Sequence, residues 1–401
     1  MAQRLKKVAV GGLEKDCLRR YVPFSKLIKP LATMQFAATS LNQGIHMSDL
    51  FSPMQLGALQ LNNRILMAPL TRTRADADHV PTPMMAEYYA QRASAGLLIA
   101  EATMVAEGNS AFWREPGIYS AAQIQAWKQV TDAVHAKGGK IVLQIWHGGR
   151  ACHPALNNGK TPVSSGTVAI EDTVHTPQGK LPYTAPRMLA DDEIPAIIAQ
   201  FRQAAINAKE AGFDGVEVHG ANGYLLDQFL RDGVNQRSGR YGGSLENRSR
   251  LLLEVVQAVV EVWGSDRVGV RISPLNSYNS MVDSDPVALT RHIAAALNPL
   301  KLAYLHLMRA DFFGVQQGDV VTAAREVYQG NLIGNMGYQK DEATQAVQSG
   351  QLQAVAVGAA FIANPDLVER WQHDWPLAAP DQSTFYTQDA KGYTDYPAYQ
   401  G

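Results

Sequence analysis

The sequence predicts an α/β protein whose main domain is a single (β/α)8 TIM barrel. Eight short apolar runs have the character of strands, amphipathic stretches separate them, and no GxGxxG turn follows any of the runs. Alternating strands and helices are typical of parallel βαβ units. Eight such units without a glycine-rich dinucleotide turn predict a closed barrel rather than an open doubly wound sheet.

The predicted strands, in order, are RILMAP (64–69), LLIAEATMV (97–105), KIVLQIWH (140–147), GVEVHG (215–220), RVGVRIS (267–273), LAYLHLM (302–308), NLIGN (331–335) and AVAVG (354–358). The segments 121–137, 193–212 and 245–263 are polar on one side and apolar on the other, which predicts helices. The segment 51–64 predicts a small N-terminal hairpin that closes the bottom of the barrel. The connections 148–190 and 220–242, after strands three and four, are too long for plain turns and predict lid and substrate loops.

The composition excludes several classes of protein. A hydrophobic content of 46% with 18% charged residues describes an ordinary globular chain, and a formal net charge of −1 offers nothing to attract nucleic acid. The only two cysteines, Cys17 and Cys152, form no CxxC motif and provide no ligands for a disulfide framework, a structural zinc or an iron–sulfur cluster. No apolar run reaches the length of a membrane span. We therefore expect a cytoplasmic protein.

Residues 1–46 differ from the rest of the chain. They hold eight Lys or Arg against two acidic residues, a net charge of +6, which leaves −7 for the remainder. A basic, acid-poor start is typical of a targeting leader. The alternative, which we favour, is a mis-assigned upstream start codon, because Met47 directly precedes the organised region. On either interpretation 1–46 is expected to lie outside the fold, and 47–401 to form the barrel domain.

Polar residues interrupt the predicted strands where a barrel places its chemistry. Thr71 follows MAPL and is either a helix cap or a ligand residue. Gln144 within IVLQIW needs partners for its amide, and a satisfied core amide is the simpler interpretation. Arg271 in VGVRISP stays charged when buried, so it requires either a protein carboxylate or an electron-rich flavin ring that becomes anionic on reduction.

The densest group of polar residues is in EVHGANGYLLDQFL. His219 and Asn222 can both donate hydrogen bonds to one carbonyl oxygen, where charge develops during a reaction. Tyr224 is a protonated phenol near neutral pH and can supply a proton to a carbanion-like centre. A core histidine, a turn asparagine and a packed tyrosine are the alternatives. Three such residues on one loop favour a catalytic site.

The motifs NMG (335–337) and VGAA (357–360) follow strands seven and eight. In barrels these loops often hold a phosphate through backbone N–H groups and a short helix N-terminus. Turn-forming glycine is the alternative explanation for both motifs.

At this point the chain resembles a known family. The motifs MAPLTRTRA, EATMV, LQIWHGGRA, GFDGVEVHGANGYLLDQFL, YGGSLENRSRLLLEVV, VGVRISP, FIANPDL and GYTDYP occur in the order found in the Old Yellow Enzyme family of FMN-containing, NAD(P)H-dependent oxidoreductases. The resemblance runs from about Leu50 to Tyr399, and the HGANGYLLDQFL block is highly specific.

The resemblance implies an FMN cofactor and a ping-pong cycle. NADPH or NADH would reduce the flavin and leave; an α,β-unsaturated carbonyl, nitro or nitrate ester compound would then take hydride at its β-carbon and a proton at its α-carbon. His219 and Asn222 would bind the substrate oxygen, Tyr224 would donate the proton, and Trp113 and Tyr393 would line the pocket. The residues expected to contact FMN are Pro69, Leu70, Thr71, Ala102, Gln144, Arg271, Met336, Gly358 and Ala359. A small-molecule substrate, no metal, no nucleic-acid or membrane partner, and a monomer or homodimer are expected.

The chain departs from the family at three positions. Ala359 stands where an arginine usually clamps the FMN phosphate, Met336 where glycine is common, and Gly239 where aspartate is usual. The first departure motivates an alternative function, a flavin- or ligand-binding barrel with impaired turnover. Flavoenzymes of the dienoyl-CoA or trimethylamine dehydrogenase type are disfavoured because they carry a cysteine cluster and further domains. An aldolase-type barrel is disfavoured because no strand offers a Schiff-base lysine near its end.

Overall fold

A computed structural model describes residues 49–401 of the 401-residue chain. The prediction of a basic leader at 1–46 therefore falls outside the described residues. The eight predicted strands, the two strands of the predicted hairpin and the three predicted helices all have counterparts among the elements that follow.

The strands are β1 (Met54–Leu56), β2 (Leu59–Leu61), β3 (Ile65–Met67), β4 (Leu97–Met104), β5 (Ile141–Trp146), β6 (Val163–Ser164), β7 (Thr173–Thr176), β8 (Gly179–Pro182), β9 (Arg187–Met188), β10 (Gly215–Gly220), β11 (Val268–Ile272), β12 (Tyr304–Met308), β13 (Leu332–Asn335) and β14 (Ala354–Val357). The eight strands β3, β4, β5 and β10 to β14 pair in parallel and close into a barrel. Each of the eight predicted strands overlaps one of these, so the predicted barrel is confirmed.

The helices are α1 (Pro83–Gln91), α2 (Ala121–Ala136), α3 (Ile194–Glu210), α4 (Leu225–Leu230), α5 (Leu245–Trp263), α6 (Pro286–Leu297), α7 (Val320–Arg325), α8 (Lys340–Gln348), α9 (Ala359–Ala363) and α10 (Leu367–Gln372). Local chemistry sets where they begin. Ser120 accepts a hydrogen bond from the backbone N–H of Gln123, whose side chain accepts one from the N–H of Ser120, which is a capping box. Ser244 caps α5 in a similar way.

Two hydrophobic layers hold the barrel together. The larger layer lies between the strands and the helices, and it includes outward-facing strand residues such as Val216 and Val218. The second layer fills the barrel's lower interior and joins Leu97, Val142 and Tyr304 to the hairpin formed by β1 and β2. The hairpin therefore closes the barrel bottom, as predicted from 51–64.

The two long connections contain secondary structure of their own. The segment after β5 carries a two-stranded ribbon of β7 and β8 and a short parallel pair of β6 and β9. The segment after β10 carries α4, all six residues of which are buried. Both connections follow the carboxyl ends of barrel strands, which is the end where barrel enzymes carry their active sites. Within 49–401, no helix is both long and apolar enough to cross a membrane.

Candidate active site

A group of polar side chains occupies one side of the barrel interior. Strand register places Glu217 beside Gln144, and His219 beside Arg271, which in turn lies beside His306. Gln144 donates from Nε2 to Oε1 of Glu217 at 2.7 Å, and the His306 Nδ1 atom lies 2.8 Å from Oε2 of Glu217. Because the latter bond spans the intervening strand β11, these side chains project into the barrel.

The guanidinium of Arg271 forms a hydrogen bond through one nitrogen, and another of its nitrogens forms none. Its Nη2 donates to Oδ1 of Asn335 at 2.8 Å, and Asn335 in turn donates to the backbone carbonyl of Ala356. The Nε atom of Arg271 is buried and has no hydrogen-bond partner among residues 49–401. Because a buried donor without a partner is costly, this guanidinium fits a bound group that offers acceptor atoms.

The strand β4 contains an irregularity at a predicted flavin contact. Its pairing with β5 shifts register between Ala100 and Thr103, and Ala102 lies inside this bulge. Ala102 belongs to the apolar cluster at the top of the barrel together with Trp146 and Tyr224. A bulge redirects side chains from the regular alternation of a strand. The structure thus brings Ala102 toward the predicted catalytic residues, which periodicity alone does not predict.

The buried Glu101, also in the bulge, fixes the first loop of the site. Its Oε2 accepts a hydrogen bond from the backbone N–H of Arg72 at 3.2 Å, and its Oε1 accepts one from the Tyr89 hydroxyl. Pro69, Leu70 and Thr71 precede Arg72, directly after β3, and all three are partly exposed at the barrel's open end. Glu101 therefore holds the loop on which these three predicted flavin contacts lie.

His219, Tyr224 and Trp146 meet at the carboxyl end of the barrel. The ring centroids of His219 and Tyr224 are 5.3 Å apart, and the Tyr224 ring stands edge-on to Trp146 with centroids 4.3 Å apart. His219 Nδ1 and Trp146 Nε1 are buried and have no hydrogen-bond partner in the part of the chain that the structure describes. Two unpaired nitrogens beside a phenol form a site that can receive hydrogen-bonding atoms of a ligand.

Burial determines the protonation states of these groups. It lowers the pKa of His219 well below its usual value, and the charge of Arg271 adds to the shift, so the imidazole is neutral. Burial, followed by the neighbouring phenols, raises the pKa of Tyr224 well above its usual value, so the phenol keeps its proton. A neutral imidazole donates one hydrogen bond, and a protonated phenol is able to give up a proton.

Asn222 is held by the loop after β11. It adopts a left-handed backbone conformation with φ 56°. Its backbone N–H donates to Ser273 Oγ at 2.7 Å, and its side-chain Oδ1 accepts from Asn276 Nδ2 at 2.9 Å. Asn279 donates to its backbone carbonyl. Since the amide oxygen is already used, the Nδ2 group of Asn222 remains as a donor for a ligand. The sequence analysis did not identify these three supporting residues.

Aromatic side chains surround Tyr224 that the sequence analysis did not select. Phe112, Tyr183 and Tyr278 pack on the apolar cluster that contains Tyr224. Phe112 also stacks on Tyr386, which is 61% exposed. These residues come from three separate connections and the C-terminal segment. Their spacing along the chain therefore does not predict that they meet. The occurrence of aromatic residues in the connections after strands is only a partial signal.

Two predicted pocket residues have other surroundings. Tyr393 has no exposed surface: its ring stacks on Tyr88 at 4.0 Å and is approached by the guanidinium groups of Arg72 and Arg74. The prediction that Tyr393 lines the pocket is corrected, because its ring joins the C-terminal segment to the core. Trp113 is 43% exposed and contacts Arg114. Its neighbour Phe112 is the residue that packs on the cluster.

The loops after β13 and β14 carry the remaining predicted contacts. Met336 adopts φ 87° and is followed by Gly337 at φ 76°, so two consecutive residues are left-handed. Gly358 precedes α9, and Ala359 is exposed at the start of that helix. A Cβ on Gly358 would meet nothing closer than 3.4 Å in the protein, so packing within the chain does not explain this glycine.

The arginine in contact with the Met336 loop is Arg309, which follows β12. Its Nε donates to the backbone carbonyl of Met336 at 2.9 Å, and its guanidinium lies over the ring of Tyr338. Its two terminal nitrogens donate to the two carboxylate oxygens of Glu342. The charge of Arg309 is therefore already balanced by a carboxylate. No arginine stands at 359 to add a second cation.

The site as a whole fits the expected flavin. Its floor offers a fixed cation at Arg271 and an amide at Gln144. Its upper rim carries the unpaired donors of His219 and Asn222 next to Tyr224. Among the described residues, no group of three or more His, Cys, Asp or Glu is arranged to hold a metal ion.

Comparisons with known proteins show which family this chain resembles. The sequence model of the NADH:flavin oxidoreductase / NADH oxidase family matches residues 49–378. A probable flavin mononucleotide-dependent alkene reductase of Leishmania infantum is 48% identical over 87% of this chain and 97% of its own length. The 12-oxophytodienoate reductase 7 of Oryza sativa subsp. japonica is 46% identical over 87% of this chain and 94% of its own length.

Solved structures give the same result. The old yellow enzyme from Trypanosoma cruzi superposes with a TM-score of 0.86 at 47% identity, covering 88% of this chain and 99% of that one. Morphinone reductase in complex with tetrahydroNAD superposes with a TM-score of 0.84 at 44% identity, covering 88% and 98% of the two chains.

Proposed function

The chain belongs to the NADH:flavin oxidoreductase / NADH oxidase family, which includes the old yellow enzymes, and from this we propose that it is an FMN-dependent ene-reductase. NADPH or NADH is the reductant, and the acceptor is the activated C=C bond of an α,β-unsaturated carbonyl or nitro compound. Overall, NAD(P)H loses a hydride and becomes NAD(P)⁺. The alkene gains that hydride at its β-carbon and a proton at its α-carbon.

The observation that carries this proposal is the convergence of His219, Asn222 and Tyr224 above Arg271 and Gln144. The named activities of the relatives, alkene reduction and 12-oxophytodienoate reduction, both concern activated double bonds. The complex of morphinone reductase with tetrahydroNAD supports a nicotinamide reductant.

The residues proposed to hold FMN lie on the polar floor and in the loops at the rim. Arg271 supplies a fixed positive charge, and Gln144 supplies an amide whose Nε2 is already bound to Glu217, so its Oε1 is the acceptor left for the ring. The others are Pro69, Leu70, Thr71, Ala102, Met336, Gly358 and Ala359. When bound, FMN supplies the carrier that accepts hydride from the nicotinamide and passes it to the alkene.

The donors proposed to bind the substrate are the neutral imidazole of His219 and the amide Nδ2 of Asn222. Both would donate to the carbonyl or nitro oxygen, on which negative charge accumulates as the β-carbon receives hydride. The support is local: His219 Nδ1 lacks a protein partner, and Asn276 occupies the oxygen of the Asn222 amide. Fixed donors act better than mobile ones because they need no reorganisation.

The proton is proposed to come from Tyr224. Its phenol keeps its proton near neutral pH, because burial raises its pKa well above the usual value. The edge-on packing against Trp146 fixes the ring near His219. The hydroxyl would give its proton to the α-carbon and regain one from solvent before the next turnover.

The alternative of a binding barrel with impaired turnover has one supporting feature, Ala359 in place of the usual phosphate-clamping arginine. It is disfavoured because His219, Asn222 and Tyr224 are all present and brought together. We further propose a cytoplasmic location and a monomer or homodimer. The low cysteine content supports the first, and sedimentation of the purified protein decides the second.

The experiment that tests this function is an anaerobic visible spectrum of the FMN-supplemented protein before NADPH, after NADPH, and after one equivalent of 2-cyclohexenone. We expect a yellow protein that bleaches and then regains its colour with the enone. A protein that binds no flavin contradicts the proposed function altogether. A protein that bleaches but is not reoxidised by the enone contradicts the acceptor class only.

A further inference from the structure

The buried carboxylate of Glu217 has no part in the mechanism described so far. It lies in the barrel interior on β10, with no exposed surface, one layer below His219. Both of its oxygens are used: Oε1 accepts from Gln144 at 2.7 Å, and Oε2 faces His306 Nδ1 at 2.8 Å. A charged group at this depth is expensive unless it is paired, so its presence requires an explanation.

The charges around Glu217 can be assigned. Burial raises the pKa of Glu217, but the hydrogen bonds from His306 and Gln144 and the positive charge of Arg271 act against burial and lower the pKa overall, so the carboxylate is ionised. Burial lowers the pKa of His306 despite the adjacent carboxylate, so the imidazole is neutral and its Nδ1–H donates to Glu217. The polar floor therefore holds one negative charge, on Glu217, and one positive charge, on Arg271.

The bond to Gln144 also fixes the orientation of that amide. An ionised carboxylate accepts hydrogen bonds and donates none, so only the Nε2 side of Gln144 can face Glu217. The Oε1 atom of Gln144 then points away from Glu217 and is available to accept a hydrogen bond from bound FMN. With a neutral amide at position 217, either orientation of Gln144 would be satisfied.

The surroundings leave Glu217 little freedom. The ring of Tyr304 covers Gly269, the register partner of Glu217, so closely that a Cβ on Gly269 would lie 2.2 Å from a ring atom. Burial, with a further contribution from Glu217, raises the pKa of Tyr304 well above its usual value. Tyr304 is therefore a neutral neighbour, and Arg271 remains the only cation that faces Glu217 from the strands β5, β10, β11 and β12 within the described chain.

We propose that Glu217 is a positioning residue of the flavin site, which orients Gln144 and offsets the charge of Arg271, and that it thereby lowers the reduction potential of bound FMN. The inference rests on the proposed function, since it concerns the same cofactor. A flavin becomes more anionic at its pyrimidine edge when reduced, and an uncompensated Arg271 would favour that state. The negative charge of Glu217 weakens the stabilisation of reduced FMN by Arg271. Reduced FMN is therefore a stronger hydride donor to the alkene than it would be without that charge.

The test compares two variants of the full-length, FMN-loaded protein. Glu217→Gln removes the charge and keeps the size. Glu217→Asp keeps the charge but is one methylene shorter, so it loses the bond to Gln144. The matched control is Asp214→Asn, because Asp214 directly precedes the same strand at the opposite end, where it accepts from the backbone N–H of Ile141. The midpoint potential is measured anaerobically against a reference dye, and the Kd of oxidised FMN by fluorescence titration.

For Glu217→Gln we expect the affinity for reduced FMN, relative to oxidised FMN, to rise at least tenfold. For a two-electron couple this is a shift of about +30 mV. For Glu217→Asp we expect a potential close to that of the unmodified protein and about tenfold weaker binding of oxidised FMN. Asp214→Asn should change neither quantity.

A Glu217→Gln protein with an unchanged potential overturns the proposal, and so do two variants whose potentials shift equally. If Glu217→Gln does not fold, Glu217→Asp tests the proposal by itself. A shifted midpoint potential of the Glu217→Asp protein, or an undiminished affinity of that protein for oxidised FMN, contradicts the inference. Failure of the unmodified protein to bind FMN, or to be reoxidised by an enone, is a failure of the proposed function and is seen before any variant is made.

Discussion

The phenol ring of Tyr224 stands edge-on to the indole of Trp146, with centroids 4.3 Å apart and an angle of 83° between the ring planes. Tyr224 directly precedes α4 on the connection after β10, whereas Trp146 ends β5, so the contact joins the carboxyl ends of two neighbouring barrel strands. It fixes the ring of the proposed proton donor independently of any ligand.

Removal of the phenolic hydroxyl should therefore act on proton delivery and leave the packing intact. For Tyr224→Phe we expect the rate of flavin reoxidation by 2-cyclohexenone to fall by about 10² to 10⁴, the usual contribution of a general acid. Reduction by NADPH should proceed at the original rate, since it needs no proton from Tyr224. Stopped-flow absorbance separates the two half-reactions. Equal slowing of both would show that Tyr224 acts by shaping the site instead.

The missing arginine at position 359 should limit FMN affinity. Ala359 is exposed beside Gly358, and Arg309 is already paired with Glu342, so a new guanidinium at 359 has room and no competing role. A charge-assisted contact to the phosphate is worth about 1.5 to 3 kcal/mol, so Ala359→Arg should tighten FMN about tenfold to a hundredfold. Fluorescence titration gives the Kd. Ala359→Gln, neutral and nearly as long, is the control and should change little; equal tightening by both variants would count against a role for charge.

Met336 should carry backbone strain. It adopts φ 87°, in the region that residues other than glycine enter at a cost of roughly 1 to 2 kcal/mol. We expect Met336→Gly to stabilise the protein by about 1 kcal/mol, after allowance for the greater freedom of glycine in the unfolded chain. Thermal unfolding detects the gain. Met336→Ala keeps a Cβ and should give no such increase; a gain as large as that of glycine would place the strain in the longer side chain.

Glu101 should make stability depend on pH. Burial is the main cause that raises its pKa from 4.5 to about 7. An acid whose pKa is raised on folding disfavours the folded state once it ionises, so stability falls as pH rises from about 4.5 to about 7 and is level above that. Glu101→Gln has no carboxyl group to ionise at this position, so its stability does not fall for this reason as pH rises. Relative to the unmodified protein, its free energy of unfolding should rise by up to about 3 kcal/mol between pH 5 and pH 8.

Denaturant unfolding of both proteins at the two pH values measures the change. Glu87→Gln, on the exposed face of the adjacent α1, controls for the general effect of replacing a glutamate. A difference between Glu101→Gln and the unmodified protein that is the same at both pH values would contradict the raised pKa.

The sequence alone predicted the order of the eight strands, the barrel, and the bottom hairpin. Periodicity of apolar residues is a local property, and in parallel strands buried on both faces it gives nearly continuous apolar runs. It also predicted His219, Asn222 and Tyr224, because they lie within six residues on one connection. Those predictions depend only on neighbours along the chain.

The tertiary structure decided what surrounds those residues. Asn276 and Asn279 hold Asn222 from the connection after β11, more than fifty residues away. Tyr278 of that same connection and Phe112 and Tyr183 of two others gather around Tyr224. Tyr393 is an aromatic residue that was predicted to line the pocket, but its ring stacks on Tyr88 in the core. Barrel closure brings the carboxyl ends of all eight strands to one place, so side chains far apart in the chain become neighbours. That convergence depends on the three-dimensional path of the connections, which local patterns do not specify.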